Sequence, residues 1–275
     1  MANFITYQAK DTWIHRLSGV TKLIFFLAWS IVGMITYDTR VLIAMCLMSF
    51  VIFAVSKINL KQVSTVLAVI SFFLIMNVIA IFAFSPYEGT KIYGSRTELF
   101  HLIGPYTVTK EQLFYEFNVI LKYFTVIPAA LMFLGTTNPS EFASSLNKIG
   151  VSYNIGYAIS IALRYIPDVQ NDFQEIQMAQ QARGIDMSKN EKLSIRIKKM
   201  VVIIFPLIFS SMERIDVVSN AMELRGFGKH RRRTWYTQKK ATISDYVSII
   251  CIVLVSALAL YITFRDGSRF YNPFL

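Results

Sequence analysis

Charged residues are scarce in this sequence: Asp, Glu, Lys and Arg account for 16% of the 275 residues, whereas soluble proteins carry about 25%. Hydrophobic residues account for 54%, and the mean hydropathy is +0.46. A soluble domain of this size cannot bury so much apolar surface in a single core. The composition therefore predicts an integral membrane protein, and it excludes both an intrinsically disordered chain and a disulfide-rich fold.

Cysteine and histidine are also scarce, and their spacing matches no metal or redox motif. Cys46 and Cys251 each lie inside an apolar run, where a reduced thiol behaves as a small hydrophobic side chain. His15, His101 and His230 lie in separate segments, which is typical of lone surface histidines rather than of a metal site. The sequence has no glycine-rich phosphate loop and no nucleophile–base pattern. We therefore expect a non-catalytic chain that binds no metal and no cofactor.

Five apolar stretches are predicted to cross the bilayer, since a spanning helix needs about 20 mainly apolar residues. They cover residues 20–37, 41–56, 67–84, 113–134 and 246–264. We expect no cleavable signal sequence before the first stretch, which should remain as an anchor. Two shorter apolar runs, 155–163 and 201–209, are predicted to be interfacial, with full insertion of one of them as the alternative. The predicted fold class is an all-α integral membrane protein with about five transmembrane helices and a cytoplasmic or interfacial helical insert before the last one.

Basic residues predict the orientation, because cytoplasmic loops are enriched in Lys and Arg. Residues 136–242 hold sixteen Lys or Arg and nine Asp or Glu, in a chain whose net charge is +11. We therefore expect this segment and the N-terminus in the cytoplasm and the C-terminus outside. The predicted domains are a transmembrane region over 1–135, a cytoplasmic helical region over 136–242, and the last span with its tail over 243–275.

Four charged residues or stretches near the bilayer need an interpretation. Glu116 and Lys122 interrupt the fourth span, where charge is costly, and are predicted to form a salt-bridged or snorkelling pair near the outer surface. The amphipathic stretch 191–200 fits equally a helix resting on anionic lipid and a solvated surface helix. The basic stretch 229–233 lies shortly before a span, so it indicates a lipid-headgroup anchor rather than a nucleic-acid site.

The insert before the last span has clear helix punctuation. Pro139 follows Asn138 at a predicted helix start, and Lys148-Ile149-Gly150 is a predicted stop. Farther along, Pro167 predicts a helix break or restart, and Pro206 a break or kink. We therefore expect several helices in the insert rather than a long loop.

Two of these helices are predicted to end in the same way. The pattern Ala-x-x-x-Arg-Gly occurs at 179–184 and again at 221–226, an offset of 42 residues. One interpretation is ordinary helix termination, in which Arg complements the helix dipole and Gly supplies a left-handed turn. The other is recognition, in which a guanidinium at the helix tip docks bidentately into an acidic groove on another protein. The repetition favours recognition.

Together these features resemble a known family, the transmembrane T component (EcfT family) of energy-coupling factor transporters, which are of the ABC type. The similar stretches are DTWIHRL at 11–17 leading to TKL at 21–23, LRYIP at 163–167, and the pair of Arg-Gly endings. One Arg-Gly alone has little meaning, whereas two at helix ends in a cytoplasmic insert are specific. The resemblance covers most of the chain.

The resemblance implies a scaffold in a prokaryotic cell membrane that takes up a vitamin or a metal ion. Its partners would be two cytoplasmic ABC ATPase subunits, which bind the ATP, and a small membrane subunit that binds the substrate. The family's motif is usually Ala-Arg-Gly, at the tips of helices that enter grooves on the ATPases. Carried over, the coupling residues are Ala182, Arg183, Gly184, Leu224, Arg225 and Gly226. Leu224 departs from the motif, which puts the local packing in doubt.

Two other functions fit the composition. A conventional ABC-type permease would form the substrate path with its own spans, which predicts polar groups around a central cavity. An integral-membrane enzyme predicts a cluster of His, Asp or Glu at one membrane face. Neither accounts for the repeated Arg-Gly ending.

Overall fold

The computed structural model describes residues 10–101, 106–185, 193–229, 234–235, 239, 241–265 and 267–274, without the side chains of 62 and 193–196. The helices within these residues are α1 (Trp13–Arg16), α2 (Gly19–Ile35), α3 (Thr39–Val55), α4 (Leu60–Phe84), α5 (Glu88–Tyr93), α6 (Lys110–Thr136), α7 (Pro139–Lys148), α8 (Tyr153–Ala182), α9 (Leu193–Leu224) and α10 (Ile243–Phe264). A short antiparallel hairpin, β1 (Glu98–His101) and β2 (Thr107–Thr109), precedes α6.

Among the described residues, three helical stretches are long and apolar enough to cross a membrane: Val63–Phe84, α6 and α10. The shorter apolar helices α2 and α3 coincide with the first two predicted spans. The predicted helical membrane fold is confirmed, with the hairpin as an unpredicted addition in the loop before α6. The exact number of spans stays a prediction.

The chain divides into two compact units, one made of residues 1–142 and 239–275 and the other of residues 143–238. In the first unit, Trp29 is buried at the centre of an apolar cluster to which α2, α3, α6 and α10 all contribute. The indole Nε1 of Trp29 donates a hydrogen bond to Ser49 Oγ at 2.7 Å. Ser49 Oγ in turn donates to the backbone oxygen of Thr125 at 2.7 Å. Polar groups thus pair inside the apolar core, as burial requires. The predicted domain boundaries stay a prediction.

Helix α7 has the predicted bounds, whereas α8 and α9 are longer than expected. Helix α7 runs from Pro139 to Lys148, and Gly150 follows with a φ of 109°. Pro167 lies inside α8 and Pro206 inside α9, so the predicted helix break at Pro167 is wrong. A proline removes one backbone donor, but the flanking turns keep their hydrogen bonds and can continue the helix. The two apolar runs of the insert lie within these helices, and their place at the membrane interface stays a prediction.

The structure separates the two charges of the fourth predicted span. Lys122 Nζ donates to the backbone oxygen of Met34 at 2.7 Å and lies 3.1 Å from the ring centre of Tyr37. Glu116 instead accepts a hydrogen bond from the Gln112 side chain at 3.1 Å. The predicted salt bridge between Glu116 and Lys122 is therefore wrong, because positions six apart on a helix do not share a face. The alternative, in which these side chains snorkel toward the outer surface, stays a prediction.

One histidine also differs from the prediction. His15 is 5% exposed, and its Nδ1 lies 2.7 Å from Thr12 Oγ1, so it is buried and hydrogen-bonded rather than at the surface. His101 is exposed, as predicted. His230, most of the basic stretch 229–233, and part of the amphipathic stretch 191–200 lie outside the described residues.

Candidate functional site

Helices α8 and α9 pack against each other in opposite directions. Asp172 of α8 accepts a hydrogen bond from the Arg214 guanidinium of α9 at 2.6 Å. Toward the start of α8, the ring of Tyr157 lies 4.8 Å from that of Phe227, which follows α9. Lower residue numbers on α8 therefore face higher numbers on α9. The two helices are antiparallel, so their C-terminal ends point away from each other.

The first Arg-Gly ending closes α8 with a Schellman motif. The backbone N–H of Ile185 donates to the oxygen of Gln180 at 3.0 Å, and that of Gly184 to the oxygen of Gln181 at 2.9 Å. Gly184 has a φ of 85°, in the left-handed region, and nothing lies within 4 Å of a Cβ placed there. Glycine is therefore needed for the backbone conformation and not for space. Arg183 is the C-cap residue.

The second Arg-Gly ending closes α9 with the same motif. The N–H of Phe227 donates to the oxygen of Met222 at 2.9 Å, and that of Gly226 to the oxygen of Glu223 at 2.8 Å. Gly226 has a φ of 66°. The hydrogen-bond offsets match those of the first ending, so Arg225 occupies the position that Arg183 occupies in α8. Sequence repetition and backbone geometry thus agree.

Both arginines lie on the surface of the second unit. Ala182, Arg183 and Arg225 are exposed, and Leu224 is 91% exposed. Because the Leu224 side chain is almost fully exposed, it packs little against the described residues. The second ending thus presents an exposed leucine beside its arginine, where the first ending presents an alanine.

A local two-fold symmetry relates the two endings. Asp172 and Arg214 are 42 residues apart, which is the offset between Arg183 and Arg225. Equivalent positions of two antiparallel helices thus meet at this ion pair, as at a two-fold axis. Arg183 lies 11 residues after Asp172 in α8, and Arg225 lies 11 residues after Arg214 in α9. Because the helices run in opposite directions, the two arginines are separated by the equivalent of 22 residues along the helix axes. At 1.5 Å per residue that is a distance of about 33 Å.

Aromatic packing holds the second ending in place. The ring of Phe227 lies 6.1 Å from that of Tyr153 as well as against Tyr157, and Trp235 lies 5.3 Å from Tyr153. Trp235 Nε1 donates to Asn147 Oδ1 at 3.3 Å, beyond the end of α7. These side chains support Arg225 through the turn that precedes Phe227. The sequence analysis missed them, because their separation along the chain conceals the contact.

The site residues predicted from the sequence therefore form two separate surfaces and not one cluster. Arg183 with its neighbours lies at one end of the antiparallel pair, and Arg225 with its neighbours at the other. The Asp172–Arg214 ion pair between them was also missed. Extending the 42-residue offset beyond the endings would have aligned this acid with this base.

Comparison with known proteins identifies the family. The family model of the cobalt transport protein CbiQ matches residues 10–236. The chain belongs to this family. It is 26% identical to the energy-coupling factor transporter transmembrane protein EcfT of Exiguobacterium sibiricum, over 91% of this chain and 95% of that protein. The protein of the same name from Streptococcus thermophilus is 27% identical, over 93% of this chain and 96% of the relative.

A third EcfT protein, from Limosilactobacillus fermentum, is 33% identical over a shorter region, which is 51% of this chain and 55% of the relative. The first two relatives align over nearly the full length of both chains, so the similarity includes the spans as well as the insert. The resemblance predicted from the sequence motifs is confirmed, and the chain is a multi-pass membrane protein of a transporter family.

Proposed function

We propose that this CbiQ-family chain is the transmembrane scaffold of an energy-coupling factor importer of the ABC type. It couples ATP hydrolysis by two cytoplasmic ATPase subunits to the movement of a small membrane subunit that binds a vitamin or a metal ion. The observation that carries the proposal is the pair of Schellman endings, each with an exposed arginine at the same position. Family membership provides the transporter class.

The symmetry of the endings supports one ATPase subunit at each. The two arginines lie about 33 Å apart by helix rise, at opposite ends of the antiparallel pair. Two subunits of one fold commonly assemble around a two-fold axis, and the local two-fold at Asp172 and Arg214 would match such an assembly. Each guanidinium offers a rigid fork of donors that suits a carboxylate in a groove.

Coupling requires that the scaffold contact the ATPases differently in their two states, since otherwise hydrolysis could not shift its conformation. In our proposal the closing of the ATPases moves the ends of α8 and α9, and these helices move the substrate-binding subunit. The insert and the N-terminus lie in the cytoplasm, and the C-terminus lies outside. The chain itself is not an enzyme and holds no cofactor, because the partner subunits bind the ATP.

The proposal is tested by affinity purification of the tagged chain, coexpressed with its ATPase and substrate-binding subunits, in mild detergent. Wild type should retain two ATPase subunits and the small membrane subunit. The double variant Arg183→Glu, Arg225→Glu should lower ATPase recovery at least tenfold, since two charge-assisted contacts become repulsive. Arg183→Lys with Arg225→Lys should recover part of the binding, because lysine keeps the charge but not the fork.

Lys148→Glu is the matched control. Lys148 is exposed in the last turn of α7, two residues before the left-handed Gly150, yet it belongs to neither Arg-Gly ending. It should leave ATPase recovery unchanged. Failure of the wild-type chain to retain any ATPase would contradict the scaffold function and favour a permease that forms the substrate path itself. Equal binding and coupled transport in the double variant would leave both arginines as helix-terminating residues only.

A further inference from the structure

A cavity of about 270 Å³ lies between the first half of α8 and the last turns of α9, next to the second Arg-Gly ending. Its lining combines apolar side chains with two tyrosines and two arginines. These residues are Tyr157, Ile161, Arg164, Tyr165, Val218, Ala221, Met222, Arg225 and Phe227. All of them belong to the second unit. The cavity therefore adds a second arginine, Arg164, to the surface around Arg225.

The lining of this cavity carries basic side chains and no acidic one. Arg164 and Arg225 contribute two guanidinium groups, and the nine lining residues include no Asp or Glu. Within the described part of the chain, the Arg164 side chain has no hydrogen bond or ion pair. The lining of the neighbouring cavity of about 360 Å³ holds a single arginine, Arg214, which pairs with Asp172 at 2.6 Å. Two arginines facing one cavity favour an anionic occupant.

Helix termination explains Arg225 but not Arg164. Arg164 lies within α8, 11 residues after the helix begins at Tyr153, so it complements no helix end. The local two-fold does not explain it either. The 42-residue offset places Pro206 at the equivalent position of α9, next to the Arg183 ending. The second arginine is thus a feature of the Arg225 end alone.

We propose that this cavity binds an acidic segment of the ATPase subunit that docks at Arg225. One carboxylate of the segment pairs with Arg225 and another with Arg164, while the apolar lining holds the aliphatic parts of the same segment. This inference rests on the proposed function, since the ATPase is the partner assigned to the Arg225 end. It makes the two ends chemically different: the Arg225 end binds two acids and the Arg183 end binds one.

The experiment measures the affinity of the purified ATPase subunits for the chain and its substrate-binding subunit in lipid nanodiscs. Arg164→Glu should weaken ATPase binding about tenfold, because a carboxylate then faces the acidic segment. Arg164→Lys should keep a part of the affinity. In the combined Arg164→Glu, Arg225→Glu variant, the loss of ATPase affinity should be smaller than the product of the two single losses, since both residues bind one segment. Lys198→Glu, an exposed site on α9 outside the cavity, should bind like wild type.

A photo-crosslinking amino acid at position 164 identifies the occupant directly. We expect it to label an ATPase subunit, and to do so less in the Arg225→Glu background. Labelling of lipid instead would make the cavity a headgroup site and overturn the inference. Unchanged affinity of Arg164→Glu, alongside weakened binding by Arg225→Glu, would overturn it while leaving the proposed function intact. Absence of ATPase binding by wild type would overturn both.

Discussion

Asp245 connects the start of the last span to the start of the first apolar helix. Its carboxylate accepts hydrogen bonds from the backbone N–H of Ser18 at 2.7 Å and from the Thr21 hydroxyl at 2.8 Å. It also accepts from the N–H and the hydroxyl of Thr242, both at 2.8 Å, which completes a capping box on α10. Asp245 is 1% exposed. A single buried carboxylate therefore connects the starts of two helices, through a contact between residues 227 positions apart.

Replacement of Asp245 by Ala should lower the free energy of unfolding by about 3 kcal/mol, since the buried donors of Ser18 and Thr21 would lose their acceptor and Thr242 would lose its capping partner. Asp245→Asn should cost less, because one oxygen remains. Thermal unfolding in detergent measures the change. Ser248→Ala on the same helix is the control: its hydroxyl is buried without a hydrogen-bond partner among the described residues, so its removal should be nearly neutral. Equal unfolding temperatures for Asp245→Ala and Ser248→Ala would contradict the role of the carboxylate.

At the scale of helices, α8 and α9 are antiparallel, are joined by one ion pair, and each end in a turn of the same type. Helix α8 continues through Pro167, and helix α9 continues through Pro206. Because the Schellman turn stops each helix at its arginine, Arg183 and Arg225 each occupy the position directly after the last residue of their helix. The position of each arginine thus depends on the glycine that follows it.

Gly184→Ala tests this dependence. A φ of 85° costs an alanine about 1–2 kcal/mol, so the last turn of α8 should fray and the ATPase affinity should fall. Hydrogen exchange at 180–185 and ATPase binding measure the two effects. Gly94→Ala is the matched control, since Gly94, the C-cap of α5, has a φ of 70° and likewise nothing within 4 Å of its Cβ position. It carries the same backbone cost outside the endings and should leave ATPase affinity unchanged. If the two variants bind ATPase equally, the geometry of the α8 turn has no role in docking.

At the scale of the whole molecule, the distribution of basic residues predicts which parts face the cytoplasm. The segment 136–242 carries sixteen of the 28 basic residues, whereas the loop with the β1–β2 hairpin is nearly balanced in charge. The insert and the hairpin should therefore lie on opposite sides of the membrane. The proposed function requires this arrangement, because ATPase subunits work on the cytoplasmic side.

Single-cysteine labelling in intact cells tests the orientation. In a background with Cys46 and Cys251 replaced by Ala, Leu99→Cys in the hairpin should react with an impermeant maleimide from outside. Lys148→Cys should react only after the membrane is permeabilised. Both positions are exposed in the structure, so accessibility depends on the side of the membrane and not on burial. The reverse labelling pattern would contradict the predicted topology and the scaffold function with it.

The sequence by itself determined the features that depend on neighbouring residues. Apolar runs predicted α2, α3, α4, α6 and α10, because hydropathy is a property of a short window. The punctuation at Pro139 and Gly150 predicted the bounds of α7. The repeated Arg-Gly pattern predicted both helix endings, since the left-handed turn is a local conformation that glycine adopts at little cost. Thr242 and Asp245, three residues apart, could also have been recognised as a capping box.

Only the tertiary structure decided which distant residues meet. The contacts of Asp172 with Arg214, of Asp245 with Ser18, and of Lys122 with the end of α2 depend on how helices are placed relative to one another. No window of the sequence contains both partners. The prolines show the same limit, because local preference predicted a break at Pro167 where the helix continues past it. Arg164 and Arg225 line one cavity because α8 and α9 pack antiparallel, which brings together residues 61 positions apart.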